Sequence, residues 1–226
     1  MYAKYIKRIL DFSLSLVALL VLSPVLLILT VVGAIQMKGN PFFTQLRPGK
    51  DEKIFKLVKF RSMTCEKDAQ GNFLPDEKRL TKYGKFLRST SLDELPELWN
   101  IVKGDMSIVG PRPQLVRDMV FMTKEQRRRH SVRPGLTGLA QVNGRNNITW
   151  ERKFEYDLQY IDRGIIFLGD MNIIFRTVSK VLKRSDTARE GTVSDMDFGD
   201  WLMMEGKVDQ ETYKKKQEEA KELLGI

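Results

Sequence analysis

The sequence predicts a mostly helical α/β protein. A re-entrant pair of N-terminal membrane helices joins a small, compact cytoplasmic domain with few short strands and amphipathic interfacial helices. Three observations lead to this class. An uncharged stretch rich in Leu, Val and Ile runs over residues 12–37. Apolar residues recur at helical spacing in residues 149–161 and 171–182, whereas residues 54–61 alternate as a strand does. With 226 residues and 42% hydrophobic content, the chain can bury a core.

The apolar stretch is interrupted in its middle. It exceeds the roughly 20 residues that a membrane-spanning helix needs, but Ser23 and Pro24 fall at its centre. Proline removes a helical hydrogen bond and pushes Ser23 away from helical angles, at a cost of about 3 kcal/mol. The sequence therefore predicts a kink or a reversal at this point.

The charges that flank the stretch favour a reversal. Both flanks are basic, with Lys4, Lys7 and Arg8 before the stretch and Lys38, Arg47 and Lys50 after it. Such symmetry suits two ends on the same membrane face. Each half, at about 1.5 Å per residue, reaches only about 20 Å into a hydrocarbon core of roughly 30 Å. We therefore interpret residues 1–38 as a re-entrant hairpin, with a kinked span, a cleaved signal peptide or a buried core helix as alternatives.

Asp11 places a carboxylate at the start of the apolar stretch. An ion pair between Asp11 and Arg8 would lower the cost of a charge at that depth. The alternative is an ordinary interfacial charge.

Composition restricts the chemistry. Cys65 and His130 are the only cysteine and the only histidine of the sequence, which excludes internal disulfides, zinc clusters and Cys-x-x-Cys redox sites. Any metal must be held by oxygen, which indicates Mg²⁺ or Mn²⁺. His130 follows three arginines in a run that we interpret as solvated, so a Ser-His-Asp triad is disfavoured.

The net charge of +9 predicts an anionic partner, which could be nucleic acid, membrane headgroups or a phosphorylated substrate. Few aromatic residues interleave with the basic ones, and no nucleic-acid motif is found. Nucleic acid therefore ranks lowest among these partners.

Asp93 and Glu94 are adjacent carboxylates in this basic chain. At about 5 Å and an effective dielectric of about 20, two such charges repel by roughly 3 kcal/mol. We therefore expect a cation beside them, as in phosphate chemistry. The alternative is a capping box of Ser91 and Glu94, but Pro96 would then fall inside the helix, where a backbone N–H is normally required.

Residues 39–184 form the predicted cytoplasmic domain and supply the cations. We expect a strand to present Lys59 and Arg61 on one face and a short helix to carry Arg88 towards the carboxylates. Arg112 lies between Pro111 and Pro113, and two prolines hold an arginine in a fixed extended backbone, as a bidentate phosphate ligand requires. The alternative is a rigid loop whose arginine packs on the surface.

Glycine-rich turns at residues 133–138 and 143–147 could bring exposed N–H groups and Arg145 to a nucleotide. The helix predicted at residues 171–182 could pack as core or lie on anionic headgroups. Residues 185–226 are interpreted as an appendage of unknown role. Its final helix, residues 209–224, has a thin apolar stripe that motivates the hypothesis of a homodimer.

Taken together, these features resemble the bacterial sugar transferase family, and within it the small monotopic phosphoglycosyl transferases such as the N,N'-diacetylbacillosamine-1-phosphate transferase type. The resemblance runs in order from about Lys4 to about Arg184. It is carried by the apolar hairpin with Ser23-Pro24, Lys59-Phe60-Arg61-Ser62-Met63, Ser91-Leu92-Asp93-Glu94-Leu95-Pro96, Gly110-Pro111-Arg112-Pro113 and Arg133-Pro134-Gly135-Leu136-Thr137-Gly138.

The resemblance implies transfer of a sugar-1-phosphate from a UDP-sugar to polyprenol (undecaprenyl) phosphate, with release of UMP. This would occur at the cytoplasmic face of the bacterial inner membrane. It implies that Asp93 is the nucleophile of a covalent phosphoglycosyl-enzyme and that Glu94 assists the acceptor as a base or a positioning group. Mg²⁺ or Mn²⁺ would be held in part by Asp93.

The resemblance also implies that the Pro111-Arg112-Pro113 segment contacts the substrate phosphates. Lys59, Arg61, Arg88 and Arg145 are further candidates for that role. Two other functions stay open from the residues alone: a membrane-anchored basic protein that binds anionic lipid without catalysis, and a hydrolase that forms an aspartyl-phosphate. The motifs do not specify the sugar.

Overall fold

The computed structural model describes residues 1–144, 148–183 and 196–226, and it confirms a mostly helical α/β protein with few short strands. The strands are β1 (Phe42–Pro48), β2 (Ile54–Phe60), β3 (Ser107–Val109) and β4 (Gly135–Thr137). The helices are α1 (Lys7–Val21), α2 (Ser23–Gln36), α3 (Asp76–Arg79), α4 (Lys82–Thr90), α5 (Glu97–Lys103), α6 (Val116–Met119), α7 (Lys124–Arg127), α8 (Leu139–Val142), α9 (Trp150–Asp162), α10 (Phe167–Lys183), α11 (Phe198–Met204) and α12 (Gln210–Leu224).

The apolar N-terminal stretch folds as two helices that meet at Leu22 with a bend of 64°. Pro24 lies in the first turn of α2, where its missing N–H breaks no helical hydrogen bond. The predicted break at Ser23 and Pro24 is therefore confirmed. Within the described ranges, no single helix is long and apolar enough to cross a membrane, and only this bent pair meets the requirement, by length and composition.

Asp11 and Arg8 join helix α1 to the rest of the domain. Asp11 is 5% exposed and accepts hydrogen bonds from the Ser107 hydroxyl (2.6 Å) and the Ile108 N–H (3.1 Å). Arg8 donates to two carbonyls at the end of α5, at 2.6 and 2.9 Å. The predicted Arg8–Asp11 ion pair is therefore wrong. The helix-end carbonyls lack intrahelical partners and attract the guanidinium, and Asp11 instead lies 3.9 Å from Lys7.

The two N-terminal helices carry many exposed apolar side chains. They lie on both helices and include Ile9, Val17, Leu20, Val21, Leu27, Ile28, Val31 and Ile35. Helix α10 adds Phe175, which is 72% exposed, and Val178, which is 51% exposed. Large apolar side chains exposed in this number are typical of a surface that contacts a membrane or another protein.

Two small sheets frame the domain. Strand β1 pairs antiparallel with β2, with Phe42 opposite Phe60, and β3 pairs parallel with β4. Strand β1 ends at Pro48, and a 3₁₀ turn at Lys50–Glu52 leads into β2. The segment 133–138, predicted as a glycine-rich turn, instead contributes β4, which begins at Gly135. A Cβ there would lie 2.1 Å from the backbone nitrogen of Gly110, so glycine is needed for close backbone packing.

Asn100 joins β2 to α5 and thereby orients the residues that follow. It is fully buried, its Oδ1 accepts from the Val58 N–H at 3.1 Å, and its Nδ2 donates to the Lys56 carbonyl at 2.8 Å. These bonds replace backbone pairing at the sheet edge. They hold the strand that carries Lys59 against the helix that begins at Glu97.

Candidate active site

The adjacent carboxylates lie on a 3₁₀ turn, Leu92–Glu94, between α4 and α5. Ser91 ends α4 in the left-handed conformation (φ 55°, ψ 19°), and its side chain caps neither helix. The capping-box alternative is therefore wrong. Pro96 precedes the first residue of α5, so its missing N–H costs no helical bond. Both carboxylates therefore lie on the short connection between α4 and α5.

Glu94 is neutralised by two cations. It is 8% exposed, and its Oε1 accepts from Lys59 Nζ at 3.2 Å and Arg112 Nη2 at 2.7 Å. The Glu94 charge raises the pKa of Arg112 above its usual range, against the effect of burial. The cation predicted beside the carboxylate pair is thus confirmed. Arg112 points into the site, so the surface-packing alternative is wrong.

A third carboxylate, Glu97, shares Lys59. Its Oε1 lies 2.9 Å from Lys59 Nζ, and the residue is 2% exposed. Burial raises the pKa of Glu97, while the Lys59 charge opposes the rise. Sequence reasoning missed this residue. The available signal was its spacing of three from Glu94, which places two side chains on the same side of a helical turn.

Arg88 lies on the Asp93 side of the turn. Its Nε donates to the Ser62 hydroxyl at 3.0 Å. Burial lowers the pKa of Arg88, and the charge of Asp93 is the largest of the effects that oppose this. Asp93 itself is half-buried. The helix α4 therefore directs Arg88 towards the carboxylates, in agreement with the sequence pattern.

Two arginine side chains donate hydrogen bonds to the backbone of residues 110–115, here called the arginine loop. Arg129 Nη2 donates to the carbonyl of Arg112 at 2.6 Å, and Arg47 Nη1 donates to that of Pro113 at 3.3 Å. Arg129 is 2% exposed and donates twice to Asp157 Oδ2, at 2.9 and 2.7 Å. The interpretation of the arginine run as solvated is wrong at Arg129, because Asp157 offsets the cost of burying its charge.

His130, from the same run, is also buried, at 6% exposure. Burial, aided by the charges of Arg129 and Arg127, lowers the pKa of His130 from 6.5 to about 3. Its Nδ1 lies 3.4 Å from Glu52 Oε1. Among the described residues, the polar contact of this ring is with Glu52 rather than with the carboxylate turn.

The lowered pKa of His130 predicts a pH-dependent stability. Because the folded value lies below the unfolded one, the contribution is intact above pH 6.5 and is lost as the pH falls towards 3. Between pH 7 and pH 5, we expect the free energy of unfolding to fall by about 2 kcal/mol more in the wild type than in His130→Gln. Thermal unfolding in detergent at several pH values checks this, and parallel curves for the two proteins would contradict it.

The other candidates lie at different places. Arg61 follows the end of β2, and within the described ranges its side chain makes no ion pair with the carboxylates. Arg145 lies outside the described residues. Ser23 and Pro24 lie at the bend between α1 and α2. No group of three or more acidic, histidine or cysteine side chains is placed to hold a metal among residues 1–144, 148–183 and 196–226.

A cavity of about 440 Å³ opens beside Glu94. Its walls are mainly apolar and come from the carboxylate turn, the β3–β4 sheet, α8 and α10. They include Leu92, Leu95, Ile108, Leu136, Val142, Ile174, Val178 and Val181. Ser91, Thr137 and Lys180 add polar groups. An apolar cavity with a charged cluster at its side suits a ligand with a hydrocarbon part and an anionic head.

The comparisons with known proteins agree with this geometry. The model of the family described as bacterial sugar transferase matches residues 2–184. The uncharacterised sugar transferase EpsL of Bacillus subtilis is 49% identical over 177 residues, which are 78% of this chain and 87% of EpsL. The UDP-glucose:undecaprenyl-phosphate glucose-1-phosphate transferase of Klebsiella pneumoniae is 44% identical over 184 residues, 77% of this chain but 39% of that protein.

A third relative is the galactosyl transferase CpsE of Streptococcus agalactiae, which is 40% identical over 191 residues, 78% of this chain and 42% of CpsE. The chain therefore spans most of EpsL but less than half of the two longer relatives. The region that all three share with it contains the carboxylate turn.

Proposed function

Since this chain belongs to the bacterial sugar transferase family, we propose that it transfers a sugar-1-phosphate from a UDP-sugar to undecaprenyl phosphate and releases UMP. The name of the Klebsiella relative describes such a reaction. The observation that carries the proposal is the carboxylate turn, set among Lys59, Arg88 and Arg112 beside an apolar cavity. The reaction moves a sugar phosphate from a doubly charged nucleotide donor to a lipid phosphate, and the site offers cations for the phosphates and apolar walls for the lipid.

We assign the attack to Asp93. Oε1 of Glu94 already accepts from two cations, which suits Glu94 to positioning. A carboxylate oxygen of Asp93 attacks the phosphorus that bears the sugar, and the bond from that phosphorus to the oxygen shared with the α-phosphate breaks, releasing UMP. An oxygen of undecaprenyl phosphate then attacks the same phosphorus and regenerates the carboxylate. Glu94 assists this second step as a base or by orienting the acceptor.

The cations stabilise charge on the phosphates. Arg112 uses one nitrogen on Glu94, and the guanidinium has further N–H donors that match a phosphate in bidentate fashion. Lys59 and Arg88 are the other described candidates. Negative charge grows on the departing UMP, and fixed donors in a partly buried site stabilise it without reorganisation.

A divalent cation fits this site if it binds together with the diphosphate of the UDP-sugar. Mg²⁺ usually binds through one or two carboxylates together with substrate phosphates and water, so the lack of a three-ligand cluster in the described chain is compatible with it. Asp93 would be its ligand from the protein. Mg²⁺, or Mn²⁺ in its place, supplies neutralisation of the diphosphate charge when bound.

The membrane placement follows from the acceptor. Undecaprenyl phosphate cannot leave the bilayer, so the carboxylates must reach the headgroup plane. The exposed apolar side chains of α1, α2 and α10 support attachment to a membrane. We propose that this attachment is monotopic and re-entrant, at the cytoplasmic face of the bacterial inner membrane. The cavity beside Glu94 would take the first isoprene units while the phosphate meets the arginine loop.

The test is a transfer assay with the chain in nanodiscs, Mg²⁺ and a panel of UDP-sugars labelled in the sugar. We expect one donor to label the lipid fraction, and only when undecaprenyl phosphate is present. Release of labelled sugar phosphate into water without the acceptor would show a hydrolase. No consumption of any donor, with binding to anionic vesicles retained, would favour the membrane-anchored lipid-binding function instead.

A further inference from the structure

Residues 196–226, here called the tail, lie beyond the region matched by the family model. They are nevertheless packed against the domain: Phe198 is 3% exposed, Leu202 9% and Ala220 2%. Helix α11 was not predicted: the sequence pattern indicated only the final helix within this appendage. The apolar stripe of α12 contacts α6 through Ala220, so the stripe that motivated a homodimer is partly used within the chain.

One connection between the tail and the arginine loop runs through Asp118. This side chain is 2% exposed. Its Oδ1 accepts the Phe198 N–H at 2.8 Å, and its Oδ2 accepts the Leu115 N–H at 3.2 Å. A single carboxylate thus joins the first residue of α11 to the last residue of the arginine loop. An ion pair of Arg117 with Asp197 lies beside it.

A second connection runs through aromatic rings. Phe198 packs edge-on against Phe154, with ring centroids 5.0 Å apart at 74°. The Arg129 guanidinium carbon lies over the ring of Phe154, 5.9 Å from its centroid. Arg129 in turn donates to the Arg112 carbonyl at 2.6 Å. Both connections therefore end on the backbone that carries Arg112.

We propose that the tail positions Arg112 for the donor diphosphate by fixing the backbone of the arginine loop. One route runs through Asp118, and the other runs from Phe198 through Phe154 to Arg129. The proposal rests on the assignment of Arg112 to the substrate phosphates. None of the tail residues described here touches the carboxylate turn. They are positioning residues that act through the loop, and the fixed loop lowers the ordering cost of binding the diphosphate.

The variants that test this proposal change residues of α11 that pack against the rest of the domain. Phe198→Ala removes the aromatic connection, and Phe198→Leu retains part of its apolar volume. Gly199→Val blocks docking, because a Cβ at Gly199 would lie 2.6 Å from Cε2 of Phe121. Leu223→Ala, at a residue of α12 that is 47% exposed, is the matched control in the same tail.

The primary measurement is the equilibrium dissociation constant for UDP, because it requires no turnover. We expect Phe198→Ala and Gly199→Val to weaken UDP binding about tenfold, Phe198→Leu to restore most of it, and Leu223→Ala to bind as the wild type does. In turnover assays the KM for the donor should rise more than kcat falls. Unchanged UDP binding in folded Phe198→Ala protein would overturn the proposal.

A double variant separates positioning from general stability. If the tail acts through Arg112, Phe198→Ala should weaken UDP binding less than about twofold in an Arg112→Ala background. Equal losses in both backgrounds would overturn the route through Arg112. A wild-type chain that binds UDP in this tail-dependent way but transfers no sugar phosphate would refute the proposed function and leave the positioning role intact.

Discussion

Asp93→Asn is expected to lower the rate of UMP release from the UDP-sugar by at least about 10³-fold, since an amide is a poor nucleophile and removing a covalent nucleophile has effects of this size or larger. Asp93 is half-buried on a short turn, so the substitution preserves shape and should leave the fold intact. Coupled detection of released UMP in nanodiscs measures the effect.

The control for this prediction is Asp51→Asn, which makes the same chemical change at an exposed residue. The backbone of Asp51 adopts the left-handed conformation (φ 54°), which asparagine also tolerates. This variant should therefore react as the wild type does. Residual activity above about a tenth of the wild type in Asp93→Asn would contradict the assignment of the nucleophile.

Replacing Arg112 should give the second largest loss. Arg112→Ala removes one of the cations beside Glu94, leaving Lys59 at its Oε1, and removes the fork that matches a phosphate. We expect kcat/KM for the donor to fall by about 10²- to 10³-fold, as for the loss of one preorganised donor to a developing oxyanion. Arg112→Lys should recover only part of this, because an ammonium is a point charge.

Arg128→Ala is the matched control, since Arg128 is an exposed arginine of the same basic chain that pairs with Glu125 and Asp162. It should keep kcat/KM within about twofold, as expected for exposed ion pairs. If Arg112→Lys proved equal to the wild type, charge alone would be sufficient, and the bidentate role of Arg112 would be wrong.

The local features of this fold were predictable because local physics determines them. The break at Pro24 follows from one missing N–H. Helices α9, α10 and α12 follow from apolar spacing, and the observed bounds differ from the predicted ones by a few residues, with α10 starting four residues earlier than expected. The cation beside Glu94 was predictable from the repulsion of adjacent carboxylates, and Lys59 and Arg112 provide it.

The features that sequence reasoning missed depend on distant partners. Arg129 looks solvated beside two other arginines, and only Asp157, 28 positions away, allows its burial. From the sequence the tail is an appendage, and its attachment depends on a hydrogen bond from the Phe198 N–H to Asp118, 80 positions away. In the sequence, Glu97 resembles any acidic residue in the first turn of a helix, and only its contact with Lys59 of β2 distinguishes it. Charge patterns predict that a partner is needed, but the tertiary fold chooses which one.

The most direct test of the proposed reaction is intact-protein mass spectrometry. Purified chain is mixed with Mg²⁺ and the UDP-sugar panel in the absence of any lipid acceptor, and Asp93→Asn is treated in the same way. We expect the wild type alone to gain the mass of one sugar phosphate, with an equivalent amount of UMP released. An unmodified wild type that nevertheless transfers sugar phosphate once undecaprenyl phosphate is added would contradict the covalent intermediate and indicate direct transfer between the two substrates.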